Sequence, residues 1–165
     1  MKVVRAEEYF TRHRDLLSGD ALKKRIVVVG AGAIGSFVVL SLAKMGFQNI
    51  SVYDFDTVEP ENIGAQFFPV CAIGQPKTHA LGDMVLQFTG TRINVFNGKV
   101  DKSFELNCDI FISAVDSMEV RRMLFEDVAL AKWFIDPRMG AEYANMAVVN
   151  AQDRDSRADY ARTLY

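Results

Sequence analysis

Cysteine is scarce: Cys71 and Cys108 are the two in 165 residues. That excludes a disulfide-built scaffold and a four-thiolate zinc site. Proline occurs four times and tryptophan once, and no internal repeat is visible, so collagen-like and low-complexity classes are excluded as well. No apolar run approaches the ~20 residues of a membrane helix, and the N-terminus lacks a signal-peptide core. No membrane partner and a cytoplasmic location are therefore the expectation. An excess of one charge is missing too. Nineteen basic against twenty-one acidic residues leave −2, and nucleic acid is not expected as a partner. The one imbalance is local: residues 1–25 hold seven basic and four acidic groups.

The chain does have the size of one domain and half its residues hydrophobic. Ala6, Tyr9, Phe10, His13, Leu16 and Leu17 fall on one stripe at spacings of three and four, which predicts a short amphipathic helix over 4–17. Ser18-Gly19-Asp20 reads as the turn that ends it. Arg25–Val29 is a β-branched run without alternation, the pattern of a strand buried on both faces. Ile34, Val38, Leu42 and Met45 then mark a helix that Gly46 closes.

A second strand follows at Ile50–Asp54, then a long loop from Phe55 to Pro76. Lys77–Phe88 reads as a helix with Ala80, Leu81, Met84, Val85 and Phe88 inward. Further strands are expected at Arg92–Phe96, Asp109–Ala114 and Trp133–Asp136, and an antiparallel return within Ala141–Ala151. Val120, Leu124, Val128 and Ala131 predict another helix. Alternating strands and helices predict an α/β fold of the doubly wound, Rossmann-like kind, its sheet mainly parallel and covered on both faces. Three aspartates and three arginines between Asp153 and Arg162 predict a solvated helix or frayed tail. The expected division is a helical arm over 1–22, a nucleotide-binding domain over 23–152, and a charged tail, or the start of a further part, over 153–165.

Gly30, Gly32 and Gly35 form G-x-G-x-x-G between a strand and a helix, with Ala33 inside the turn. Glycines permit a tight turn and close backbone approach, and the helix N-terminus offers N–H groups and a positive dipole to phosphate. Asp54 ends the second strand, where a carboxylate can accept from ribose hydroxyls. The same turn can also serve only to pack helix on strand. To this point an NAD-dependent oxidoreductase fits equally well.

The remaining motifs are more specific. Asp54-Phe-Asp56 runs into Val58-Glu-Pro-Glu-Asn62, then Gln66, then Gly74-Gln-Pro-Lys77, with Ala114-Val-Asp116 after a later strand. From about Phe10 to Gly140 this resembles the ubiquitin-activating superfamily in its bacterial ThiF/MoeB/HesA form. The resemblance implies ATP- and Mg²⁺-dependent adenylation of the C-terminal glycine of a small ubiquitin-like or sulfur-carrier protein ending in Gly-Gly, by a homodimer. It implies ribose binding by Asp54 beside Asp56, phosphate contacts by Asn62 and Lys77, a cofactor-binding role for Gln66, and Mg²⁺ on Asp116. Phe10-Thr-Arg12-His resembles a motif whose arginine reaches the partner subunit's active site.

Blander roles stand beside these. Asp116 can cap a helix starting near Ser117, with Glu119 three residues on. Asn62 can close an Asx turn, and Arg12 can be a surface residue. His13 and His79 have no partner at metal-ligand spacing, and both cysteines read as packing thiols.

Two departures from the family pattern are visible. Ala65 stands where the family carries a phosphate-site arginine, and Arg138, after the strand ending at Asp136, is the candidate substitute. The chain is also shorter than usual members, so a fragment or a reduced member is expected, without a thioester cysteine. A nucleotide-binding or dimerisation module without catalysis is the remaining alternative.

Overall fold

The computed structural model describes residues 16–165. The amphipathic helix expected over 4–17, and Arg12 with it, lies outside the described residues except for its last two positions. Of those, Leu16 is exposed and Leu17 packs on the core. Ser18 is not the turn the sequence suggested. Its hydroxyl accepts from the Ala21 N–H and caps a one-turn helix, α1 (Gly19–Leu22).

Six strands form one sheet: β1 (Ile26–Val29), β2 (Ile50–Asp54), β3 (Asn94–Asn97), β4 (Leu106–Ser113), β5 (Ala129–Met139) and β6 (Ala144–Asn150). Their order is β3-β2-β1-β4-β5-β6. The first five are parallel and β6 returns antiparallel along β5. This is the expected Rossmann-like α/β architecture.

The helices divide between the two faces. α2 (Gly35–Met45) and α3 (Lys77–Thr89) cover one, packing Val39, Leu40, Leu81 and Val85 on Ile26, Val28, Ile50 and Val52. α4 (Met118–Met123), one π-helical turn (Leu124–Val128) and α5 (Arg154–Ala161) cover the other. All four residues of β1 are buried because both faces are occupied, which is why their side chains do not alternate. α2 ends where the sequence predicts, at Gly46, whose φ of 103° suits glycine.

Several expectations need correction. Phe88 is exposed rather than inward. β3 starts two residues later than expected and β4 three earlier, while β5 extends at both ends. Ala131 is not helical: the helix from Val120 gives out at Val128, and Ala131 pairs with Cys108 as strand. Parallel pairing with β4 outweighs the local helical period there. The segment 55–76 is not a loose loop either. It contains two 3₁₀ turns (Pro60–Asn62 and Val70–Ala72), closes on itself through a Thr57–Pro76 bridge, and buries Val58, Phe68 and Ala72. The charged end is docked, not frayed: Tyr160 and Leu164 are buried in the second core. Among the described residues no helix is long and apolar enough to cross a membrane.

Candidate functional site

The strand order reverses between β1 and β4, so their C-terminal ends open a crevice where open α/β sheets bind ligands. The glycine turn lies there. Gly30 has φ 97°, and a Cβ on it would strike the Ala114 carbonyl. A Cβ on Gly35 would strike the Gly30 carbonyl. Both glycines are thus required by the chain's own packing. Gly32 differs, since a Cβ there meets nothing within 4 Å and its φ is not positive. The space beside Gly32 is open. No side chain caps the first turn of α2; the Ser36 and Val38 N–H groups donate to the Gly32 and Ile34 carbonyls, and those of Gly35 and Phe37 are the turn's remaining donors.

Asp54 is placed by β2 one strand away. Its Oδ2 accepts from the Ala31 N–H at 2.6 Å and its Oδ1 from the Asp56 N–H at 2.7 Å. One carboxylate therefore ties the glycine turn to the acidic segment. A carboxylate has about four lone-pair positions, so two acceptor sites remain for hydroxyls. Asp56 in turn accepts from Lys77 Nζ at 2.9 Å, and its carbonyl accepts the Lys77 N–H. Lys77 is 6% exposed although it opens α3, where the helix dipole disfavours a cation. The half-exposed Asp56 carboxylate offsets that cost. The glycine turn, Asp54, Asp56 and Lys77 form one connected chain of contacts.

The acidic segment is held over α2 by a hydrogen bond from the Phe67 N–H to the buried Ser36 hydroxyl. This brings the neighbouring Gln66 towards the start of α2. Its Oε1 is buried and has no partner among the described residues, an orphaned acceptor of the kind a ligand donor satisfies. Asn62 adopts the bland role: its Oδ1 accepts from the Glu59 N–H and closes the 3₁₀ turn. Ala65 is exposed.

On the other side of the crevice, Asp116 follows β4 and is exposed. It is not the helix cap. Ser117 is, its hydroxyl accepting from the Val120 N–H at 3.3 Å. Ala114, two residues before Asp116, packs directly against Gly30 and Gly35, which sets Asp116 beside the turn.

Arg138 is engaged within the chain at all three guanidinium nitrogens. It donates to Asp136 at 2.6 Å and, through its fork, to the Thr163 carbonyl and hydroxyl at 3.0 Å each. It docks the C-terminal segment rather than standing open as a substitute for the cation missing at position 65. Asp136 itself is fully buried and also accepts from Arg121 and, at 2.9 Å, from the Tyr160 hydroxyl. This cluster went unread in the sequence. An acid that follows Trp133-Phe134-Ile135 directly in an expected strand demands partners if it turns inward, and that was the available signal. Cys108 is buried, which pushes its thiol up to about 12. Cys71 is exposed, against the packing role expected for it.

The family model that matches is the ThiF family, over residues 13–146. The chain belongs to this family. It is 34% identical over 119 residues to the NEDD8-activating enzyme E1 catalytic subunit of Schizosaccharomyces pombe, covering 68% of this chain and 27% of that protein. Among solved structures, the tRNA N6-threonylcarbamoyladenosine dehydratase TcdA of E. coli superposes with a TM-score of 0.71, covering 86% of this chain and 66% of that one at 21% identity. The same enzyme in complex with ATP gives a TM-score of 0.66 at 24% identity, covering 76% and 56%. These structures share the fold. The chain spans about a quarter of the length of the yeast relative.

The residues around the crevice fit a nucleotide: an open glycine turn, a carboxylate with acceptor capacity to spare, a buried cation and an orphaned amide oxygen. For a metal the protein's share is small. No group of three or more His, Cys, Asp or Glu is placed to hold an ion among the described residues. Mg²⁺ in phosphate sites commonly takes one or two carboxylates and completes its shell with phosphate and water, and the exposed Asp116 is a donor of that type.

Proposed function

We propose that this chain uses ATP to adenylate the C-terminal carboxylate of a small ubiquitin-like or sulfur-carrier protein that ends in Gly-Gly, in the cytoplasm. The observation that carries the reading is the continuous line Ala31–Asp54–Asp56–Lys77, which couples the glycine turn to a buried lysine in a ThiF-family chain. An oxidoreductase needs the first two members of that line and has no use for the last two.

The reaction brings two anions together, a carboxylate and the α-phosphate, with pyrophosphate as the leaving group. Bound Mg²⁺ would supply charge neutralisation at the phosphates. The chain's own residues do the rest. The backbone at Gly32 and the uncapped first turn of α2 offer N–H donors to phosphate. Asp54 orients the ribose, Gln66 offers its orphaned oxygen to a donor, and Lys77 places a positive charge at the phosphate end. Its pairing with Asp56 keeps the ammonium in one position, and a triphosphate must share it with that carboxylate. Asp116 would be the metal's protein ligand. Positioning and fixed charge, rather than covalent chemistry, carry such a reaction.

Arg12 is proposed to act across a homodimer, as its motif suggests. An apolar strip supports an association surface. Met139, Met146 and Val148 are exposed on one face of the β5–β6 ribbon, where Pro137 pairs with Met146 and Ile135 with Val148.

Carrier-dependent ATP–pyrophosphate exchange tests the proposal, with calorimetry of ATP against NAD beside it. Tight NAD binding with no response to ATP and Mg²⁺ would sink it. A specific observation also favours a second reading, a nucleotide-binding module without turnover: Ala65 carries no charge and Arg138 is engaged elsewhere. ATP binding without exchange in the presence of a cognate carrier selects that reading.

A further inference from the structure

Arg121 stands on α4, five residues beyond Asp116, and its side chain is buried rather than turned to solvent. One nitrogen of the fork donates to the Val115 carbonyl. The other donates to the Asp136 carboxylate and lies 3.5 Å from the carbonyl oxygens of Ser113 and Pro137. A single side chain therefore gathers the exit of β4 at two carbonyls and fastens it to β5 through a carboxylate and a third carbonyl. Its Nε is buried without a partner among the described residues. Buried ion pairs of this kind are poor devices for stability alone, since apolar residues of similar volume commonly do as well.

What the fork holds is the wall of the crevice. The Ala114 carbonyl lies where a Cβ on Gly30 would be, and the Ala114 methyl is 3.3 Å from where a Cβ on Gly35 would be. A shift of residues 113–116 changes the space under the glycine turn and the position of Asp116 together. We propose that Arg121, anchored by Asp136, is a positioning residue for the nucleotide site: it fixes the β4 exit and, through it, the Asp116 carboxylate. What Asp116 then does rests on the adenylation reading, whereas the restraint on the loop belongs to the chain itself.

Two measurements on the full chain separate these. Amide hydrogen exchange without ligand reads the restraint, and calorimetric titration with ATP, with and without Mg²⁺, reads its consequence. Lysine cannot span the acceptors that a planar fork holds. In Arg121→Lys, exchange at Ala114, whose N–H is held on the Val29 carbonyl, should speed up about tenfold while β2 remains as in the wild type. The gain in ATP affinity that Mg²⁺ brings should fall about tenfold, the scale on which outer partners of a metal ligand act. Adding Asp116→Ala to that variant should remove little more of the gain than Asp116→Ala alone. If lysine prevents folding, the double replacement Arg121→Met with Asp136→Asn removes the fork and the charge it faces, leaves an amide oxygen to accept from Arg138 and Tyr160, and should show the same two losses. Unchanged exchange at Ala114 in a folded variant overturns the proposal, and so does an undiminished Mg²⁺-linked gain. Wild-type protein that binds no ATP overturns the adenylation reading and, with it, the role given to Asp116; the exchange data then decide only the restraint.

Discussion

At the scale of single residues, neighbours of the same chemical type separate by environment. Cys108 lies in the second core and its thiol is pushed up to about 12 by burial, while Cys71 is exposed on a 3₁₀ turn. Iodoacetamide at pH 8 should therefore label Cys71 and leave Cys108 untouched until denaturant is added, because the thiolate is the nucleophile; labelling of both in native protein would contradict the packing described. Asp116 and Ser117 divide in the same way. Ser117→Ala removes a helix cap and should cost about 1 kcal/mol of stability in a denaturant titration, without altering the Mg²⁺ dependence of ATP binding. Asp116→Ala should do the reverse, leaving stability nearly unchanged and abolishing that dependence. If Asp116→Ala unfolds the chain, the aspartate is structural.

Elements are the scale at which the glycine motif has meaning. Its three glycines serve two different purposes, and substitution tells them apart. Gly35→Ala drives a methyl into the Gly30 carbonyl, so backbone must move, and a loss of about 1–3 kcal/mol is expected. Gly32→Ala meets no atom of the chain and should stay within about 0.5 kcal/mol of the wild type, yet weaken ATP binding by filling the space a phosphate would use. Equal destabilisation in both variants would remove the reason for assigning that space to a ligand. The segment 55–76 works on the same scale. It replaces a featureless loop by a small closed unit, pinned to α2 by Ser36 and to β2 by Asp54 and Asp56.

For the whole molecule, the second core joins Val27 and Val29 of β1 to Phe111, Phe134, Tyr160 and Leu164. Phe125 lies 5.0 Å from Phe134 and 4.6 Å from Tyr160, and the Tyr160 hydroxyl ends on buried Asp136. Tyr160→Phe removes one of two donors from the same carboxylate oxygen, Arg138 remaining on it, and should cost about 0.5–1.5 kcal/mol in a denaturant titration. The same core sets the response to alkali. Burial raises the Cys108 thiol and is also the largest cause raising the Tyr160 phenol. Both groups are buried neutral, so the stability they carry is complete below their ordinary values and is lost as the pH climbs through the raised ones. For Cys108 that window runs from its ordinary 9.0 to about 12. Melting temperature should fall steeply above pH 9, and Cys108→Ala should flatten the early part of that fall. Assembly belongs to this scale too. Val148→Asp should convert the proposed dimer to monomer in sedimentation, and mixing Arg12→Ala with Asp116→Ala protein should restore part of the exchange activity.

The sequence by itself determined the order of β1, the glycine turn, α2 and β2, because their signals are local: a β-branched run, glycines where backbones touch, a closing Gly46 and a terminal acid. It also carried the family through motifs whose spacing does not depend on the fold being known. Only the tertiary structure decided which residues those motifs engage. Asn62 spends its oxygen on a turn, Arg138 spends its fork on Thr163, and Ala131 is drawn from a helical period into a strand by parallel pairing. Arg121 and Asp136 lie fifteen residues apart on different elements, and no local rule joins them. Helix and turn signals act over three or four residues. A buried charge is balanced by whatever the fold brings beside it, and that is fixed only when β4 and β5 meet.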